Sequence, residues 1–182
     1  MIIRKTQQPS DYPSNSISNA KTTGTTNTYS CDYINKITEK NIITAKATAD
    51  GDEVTAYGNT YLTLGSSVSS GSKLSLVDGK VKIGAGISKI MVSGIVRYYY
   101  KNNNSSNKYE LGAYIFNNDS SAISCRLTVP ASGENISDTI VLTPRIITAK
   151  ENDLISLIFY STTGAITRKY LSESYLTVEV VE

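Results

Sequence analysis

The chain has no histidine and no tryptophan, and only 4 prolines, 2 cysteines and 2 phenylalanines in 182 residues. Without histidine the usual general base and the commonest zinc ligand are gone, so no nucleophile–base pair can be built around an imidazole. A one-sided charge is missing too: Lys plus Arg is 18, Asp plus Glu is 16, and the net charge is +2. Lys101, Lys108, Arg168 and Lys169 are scattered over expected loops rather than gathered, which gives no footprint for nucleic acid. Cys31 and Cys125 stand too far apart to read as a metal pair or a disulfide framework. Two free thiols are expected, with a bridge between them as the alternative. Long apolar runs are also absent. The opening MIIRKTQQPSDYPS lacks the apolar stretch of roughly 7–15 residues that a signal peptide needs, and no later run is long enough to span a bilayer. Synthesis in a cytoplasm without Sec export is the expectation.

What is present in quantity is Tyr, 13 residues. Tyr suits positions that are half apolar and half wet, such as sheet edges and subunit interfaces. Residues 1–28 are rich in Ser, Thr, Asn and Gln and poor in apolar side chains, which predicts an extended segment ordered only by something outside it. TYSCDYINKITEKN follows and is the one credible helix. Ser30 can cap it, Asp32 sits in its first turn, and Lys36 and Lys40 lie toward its end. Tyr33, Ile34 and Ile37 form a short apolar stripe for connector packing, since a helix of this length is not stable alone.

From residue 41 the pattern is strand and turn. Strands are predicted at Ile42–Ala49, Tyr61–Ser69, Leu74–Val77, Val81–Ile83, Lys89–Tyr100, Tyr109–Asn117, Ile123–Val129, Thr139–Thr148, Leu154–Ser161 and Tyr170–Val181. Asp78-Gly79 between short runs signals a two-residue hairpin. Ile123, Cys125, Leu127 and Val129 alternate with Ser124, Arg126 and Thr128, so Cys125 reads as a small core residue. Leu176, Val178 and Val180 share one face of the final strand. Short strands without interspersed helices indicate an antiparallel sandwich.

Motifs for chemistry are sparse. Asp50-Gly51-Asp52-Glu53 reads as a solvated turn, with a calcium ion as the alternative, although the longer ligand loop of an EF-hand is absent. Gly84-Ala85-Gly86 lacks the Gly-Lys-Ser/Thr of a phosphate loop and reads as a strand-end kink. No cofactor and no catalytic residue is expected.

The runs KIMVSGIVRYYY, YELGAYIFNND, SAISCRLTV, DTIVLTPRIITAKENDLISLIFYS and YLSESYLTVEVVE resemble the tumour necrosis factor and complement globular-head jelly roll. The likeness is to the version found in phage and prophage tail or fibre proteins of Gram-positive bacteria. It covers residues 41–182, and its final strand lacks the aromatic-Gly-aromatic sequence usual in the animal members. Independently, NAKTTGTTNTYSCDYINKITE is similar to a connector segment common in phage structural proteins. Together these imply an all-β, antiparallel jelly-roll β-sandwich of about ten strands with a short N-terminal helical connector, assembling as a homotrimer. Residues 1–40 would be the connector and 41–182 the head.

In Lys89–Tyr100 both parities are apolar, whereas an antiparallel sandwich buries one face within a monomer. Val92, Val96, Tyr98 and Tyr100 are therefore candidates for the trimer interface, with coverage by the connector as the alternative. The jelly-roll order gathers Lys101–Lys108, Pro130–Ser137 and Thr162–Lys169 at one pole, away from the C-terminus and connector. Asn103, Asn104, Asn107, Asn135 and Arg168 are the candidate receptor-binding residues there, because amides donate and accept as sugar hydroxyls require. Mere solubility is the alternative for these loops. The functional expectation is a non-catalytic virion module that joins other tail or fibre proteins through its connector. It would bind a host-surface glycan or protein, without nucleic acid or membrane. The alternative is a small β-sandwich carbohydrate-active enzyme acting on cell-envelope polysaccharide.

Overall fold

A computed structural model describes residues 40–103, 106–130 and 133–182, and of Ser66 only the backbone. The predicted connector helix with Tyr33, Ile34 and Ile37, as well as Cys31 and Asn104, lies outside these residues. The described residues fall in one unit, Lys40–Glu182.

Twelve strands follow one another: β1 (Ile42–Ala47), β2 (Gly58–Tyr61), β3 (Leu64–Ser70), β4 (Leu74–Val77), β5 (Lys80–Ile83), β6 (Lys89–Asn102), β7 (Tyr109–Asn117), β8 (Ser120–Val129), β9 (Asn135–Thr148), β10 (Leu154–Ser161), β11 (Ile166–Tyr170) and β12 (Tyr175–Val180). They form two antiparallel sheets. In sheet A, β3, β1, β12 and β6 lie side by side, β9 runs along the far side of β6, and β11 pairs with the end of β6 beyond β12. Sheet B has the order β4-β5-β10-β7-β8, with β2 also on β10.

Two predicted strands are each split. The run from Tyr61 divides because β2 pairs with β10 in sheet B while β3 pairs with β1 in sheet A, so the chain changes layer at Leu62 and Thr63. The final run divides because Leu171–Ser174 makes a turn, with Ser174 N–H donating to Leu171 O at 3.0 Å. Ser174 is fully buried there, and its hydroxyl donates to Arg97 O at 3.1 Å. A hydroxyl that replaces a missing ladder bond keeps the kink from leaving backbone groups unpaired.

The Asp-Gly hairpin is realised between β4 and β5, with φ of 48° at Asp78 and 73° at Gly79. Both residues are in the left-handed region that a type I′ turn requires. The core fills the space between the sheets: Ile90, Val92 and Val96 of β6 meet Ile115, Leu157 and Phe159 of sheet B, all fully buried. Burying side chains of this size contributes roughly 1.5–3 kcal/mol each. Gly94 lies on the same inward parity, where an added Cβ would come within 3.1 Å of Tyr175 O and 3.3 Å of a Leu157 methyl. The register shift between β6 and β9 at Val92–Gly94, where β9 carries the extra residue, adjoins this close approach. Cys125 is a free thiol, half-buried against this core with Leu127, as its alternation predicts.

Candidate functional site

The strand register places three loops at one end of the sandwich. Lys101 of β6 pairs with Asn135 of β9, Asn102 with Ile166 of β11, Tyr109 of β7 with Val129 of β8, and Leu111 with Ser161 of β10. The β6–β7, β8–β9 and β10–β11 connections therefore leave from neighbouring strand ends. At the opposite end, Ile42 of β1 pairs with Glu179 of β12, Lys40 Nζ lies 3.0 Å from Glu179, and Lys89 forms an ion pair with Glu182. The first described residue and the C-terminal residue share that end.

Hydrogen bonds tie the loop end together. Asn102 is fully buried, and its Nδ2 donates to Asn107 O and to Pro130 O, both at 2.9 Å, linking two loops. Asn103 joins the third: its N–H donates to Ala165 O at 2.9 Å and its Nδ2 to Thr167 Oγ1 at 2.9 Å. Asn107 Nδ2 reaches the Tyr109 hydroxyl at 3.4 Å. Asn103, Asn107 and Asn135 are exposed, so three of the five candidate receptor residues share this surface. Asn102 was not among the candidates. The signal for it was parity, since it continues the inward series Tyr98, Tyr100.

Arg168 requires a correction. It lies within β11 rather than in a loop, and it is 1% exposed, which removes it from any receptor-contacting surface. Its guanidinium donates to Ala56 O, to Gly58 O at 2.9 Å and to Thr60 Oγ1 at 3.4 Å. It also stands over the Phe159 ring, 5.8 Å from the centroid. Desolvation lowers its pKa. The side chain works as an internal brace for the segment between β1 and β2, which also bridges β11 at Val54.

The interface candidates also need correcting. Val92, Val96, Tyr98 and Tyr100 are 0–3% exposed and point between the two sheets. Tyr98 stacks with Tyr100 at 5.9 Å and meets Phe159 at 5.1 Å, closing the core beneath the loops. Burial, followed by the nearby Asp138 carboxylate, pushes the Tyr98 pKa well above its ordinary value. The apolar residues turned outward on β6 are instead Met91, Ile95 and Tyr99, all half-buried. Register sets Ile95 between Val141 and Tyr175, and Met91 beside Ile146. Val141 and Ile146 are each 54% exposed. Ser93, Gly94, Ile95, Val141, Leu142, Pro144 and Tyr175 line a shallow hollow on this face.

The acidic turn is partly used by the fold itself: Asp50 Oδ1 accepts the Ser172 N–H at 2.8 Å, and that bond lowers its pKa. Among the described residues, no group of three or more His, Cys, Asp or Glu is arranged to hold a metal ion. The Asn-Asp pair before β10 is structural. Asp153, 4% exposed, accepts from Asn117 Nδ2 and Asn118 Nδ2 at 3.0 Å and from Lys150 N–H at 3.1 Å. Burial opposes its ionisation, but these donors outweigh burial and hold its pKa below the ordinary value.

The sequence matches no protein-family model and no curated relative. Among solved structures, the crystal structure of murine APRIL at pH 5.0 is similar, with a TM-score of 0.53 over 79% of this chain and 100% of that chain. Sequence identity is 8%, so the likeness is one of fold. Two antiparallel sheets, the loop end and this likeness together give residues 40–182 the jelly roll of the tumour necrosis factor type.

Proposed function

We propose that this chain is a non-catalytic structural module of a phage or prophage tail. Its sandwich would be a trimeric head that presents the loop end to a receptor on the host surface. Residues 1–40 would join it to other tail or fibre proteins, and the molecule would act in the virion after synthesis in the bacterial cytoplasm. One observation carries this reading: three polar loops, with Asn103, Asn107 and Asn135 exposed on or beside them, are braced together at one end, while Lys40 and Glu182 lie at the other. A head fixed from one end leaves its opposite end free, and loops on a rigid scaffold are where binding residues concentrate.

Assembly through the outer face of sheet A fits the same reading. Ile95, Met91, Val141, Ile146 and Tyr175 make an aliphatic and aromatic surface on strands whose other face already fills the core. The test is adsorption of the intact oligomer to host cells. Asn103→Ala, Asn107→Ala and Asn135→Ala together should sharply reduce adsorption without altering oligomer mass. Undiminished adsorption would overturn the role assigned to the loop end.

A further inference from the structure

Sheet B also turns a surface outward, and its chemistry differs from that of the loop end. Ser156, Ile158 and Tyr160 occupy the outward parity of β10, because Ile155, Leu157 and Phe159 fill the core. Register sets Ile158 between Tyr61 of β2 and Tyr114 of β7, and Tyr160 between Asn59 and Gly112. Ile158 is fully buried despite facing outward, since the rings beside it exclude water. Those rings form a chain across the face. Tyr57 meets Tyr160 at 6.0 Å and 72°, Tyr160 meets Tyr114 at 5.4 Å and 83°, and Tyr114 meets Phe116 at 6.0 Å and 73°. Tyr57 is 71% exposed.

Cations sit on both flanks of this aromatic chain. The Arg126 guanidinium carbon is 5.7 Å from the Tyr114 centroid and 5.8 Å from that of Tyr160, and its Nε donates to the Tyr114 hydroxyl at 2.8 Å. Gly112 makes this possible: a Cβ there would lie 3.3 Å from Arg126 Cγ, so the arginine stem crosses an empty position. On the other flank, Lys80 Nζ is 5.3 Å from the Tyr61 centroid. Three inter-strand steps separate these flanks, roughly 14 Å at the usual strand spacing, a span longer than one sugar ring. The outward strand positions of sheet B carry Lys80, Lys82 and Arg126 against one carboxylate, Glu110, which is 3.8 Å from Arg126. The buried Ser156 hydroxyl on the same parity has no partner among the described residues.

Exposed tyrosine faces suit the C–H faces of sugar rings, while guanidinium and ammonium groups above them suit oxyanions. We propose that the outer face of sheet B binds an anionic glycan, its rings laid against Tyr57 and Tyr160 and its carboxylate or phosphate groups met by Arg126 and Lys80. This deepens the host-surface reading and rests on it for its biological setting, but the binding is measurable without a host.

The experiment is affinity electrophoresis of the full chain through gels holding polygalacturonate, a phosphodiester-linked polysaccharide, dextran or polyacrylate. Retardation is expected with at least one of the two anionic glycans, which tells carboxylate from phosphate, and it should weaken as salt screens the charges. Dextran should not retard the chain, and polyacrylate should do so much less than the glycan. The exposed pair Tyr57→Ala with Arg126→Gln should weaken glycan retention at least about tenfold, as loss of a charge-assisted contact implies, with melting unchanged. Retardation by neither anionic glycan overturns the proposal. So does equal retardation by polyacrylate, or full retention by the double variant. Capture by host walls that survives periodate but not protease would assign the face to a protein and overturn it as well. Failure here is read in the gel, whereas failure of the host-surface reading is read in cell adsorption.

Discussion

The two outer faces of the sandwich obey the same alternation and carry different chemistry. On sheet A, the outward positions around Ile95 are mainly aliphatic, with Val141 and Ile146 half exposed and the Thr44 and Thr177 hydroxyls 3.0 Å apart nearby. On sheet B, the outward positions around Ile158 are aromatic and cationic, and each ring is engaged by a neighbour. An aliphatic sheet face gains mainly by excluding water against a like surface, which suits another copy of the same chain. Crossed aromatic rings with fixed cations hold specific directions and charges, which suits a ligand of different chemistry. Alternation decides which residues face outward. Residue type decides what such a face is good for.

The largest effect should come from disturbing sheet A. Ile95→Asp with Val141→Asp puts two charges on the aliphatic face, and light scattering should report a fall from threefold mass to monomer. Glycan retention per protomer should persist, because sheet B is untouched. A wild-type chain that is already monomeric at micromolar concentration would return that face to some other cover.

Arg168→Met tests whether the faces fail separately. It removes the donors to Ala56 O, Gly58 O and Thr60 Oγ1 and should lower stability by about 3 kcal/mol, as expected when buried acceptors lose their partners. The segment carrying Tyr57 loses its brace, so glycan retention should drop while oligomer mass is kept. Equal damage to both properties would mean that the brace supports the whole sandwich.

Asp153→Asn should disturb neither face and should show a pH signature. The folded pKa of Asp153 is depressed, so its contribution is present above the unfolded carboxylate value of about 3.9. That contribution is lost as pH falls through the lower folded value. Denaturant titration should show the variant less stable by roughly 1–3 kcal/mol at neutral pH, with the gap closing in acid. A gap independent of pH would mean that shape rather than charge is at work.

Tyr57→Ala is the smallest perturbation in stability, within about 0.5 kcal/mol for an exposed side chain. It sharpens the comparison because binding to the anionic glycan should fall while melting and mass stay constant. A stability loss well beyond that figure would show that Tyr57 holds Tyr160 for the fold's sake.

Much of the sandwich was legible along the chain. The alternation in Ile123–Val129 and in Leu176–Val180, the Asp78-Gly79 turn and the exact bounds of β4, β7 and β10 each follow from local preference. Local geometry suffices there because period-two alternation and a left-handed turn are properties of a few adjacent residues. The gathering of Asn103, Asn107 and Asn135 also followed, once strand order was taken from the resemblance. What stayed hidden depended on a second strand. In β6 both parities are apolar, and only the position of sheet B decides that Val92, Val96, Tyr98 and Tyr100 point inward while Met91, Ile95 and Tyr99 do not. Arg168 reads as a solvated charge until three acceptors of a distant segment are folded around it. Tyr57, Tyr160, Tyr114 and Arg126 are scattered over more than a hundred positions in sequence order of strands but adjoin across sheet B. The sequence by itself determined that residues 41–182 alternate strand and turn and where strands such as β4, β7 and β10 lie, since those choices are made by neighbours in the chain. Tertiary structure alone decided which face of β6 is core, which arginine is buried and which tyrosines meet, because each depends on atoms brought together by register between strands far apart in sequence.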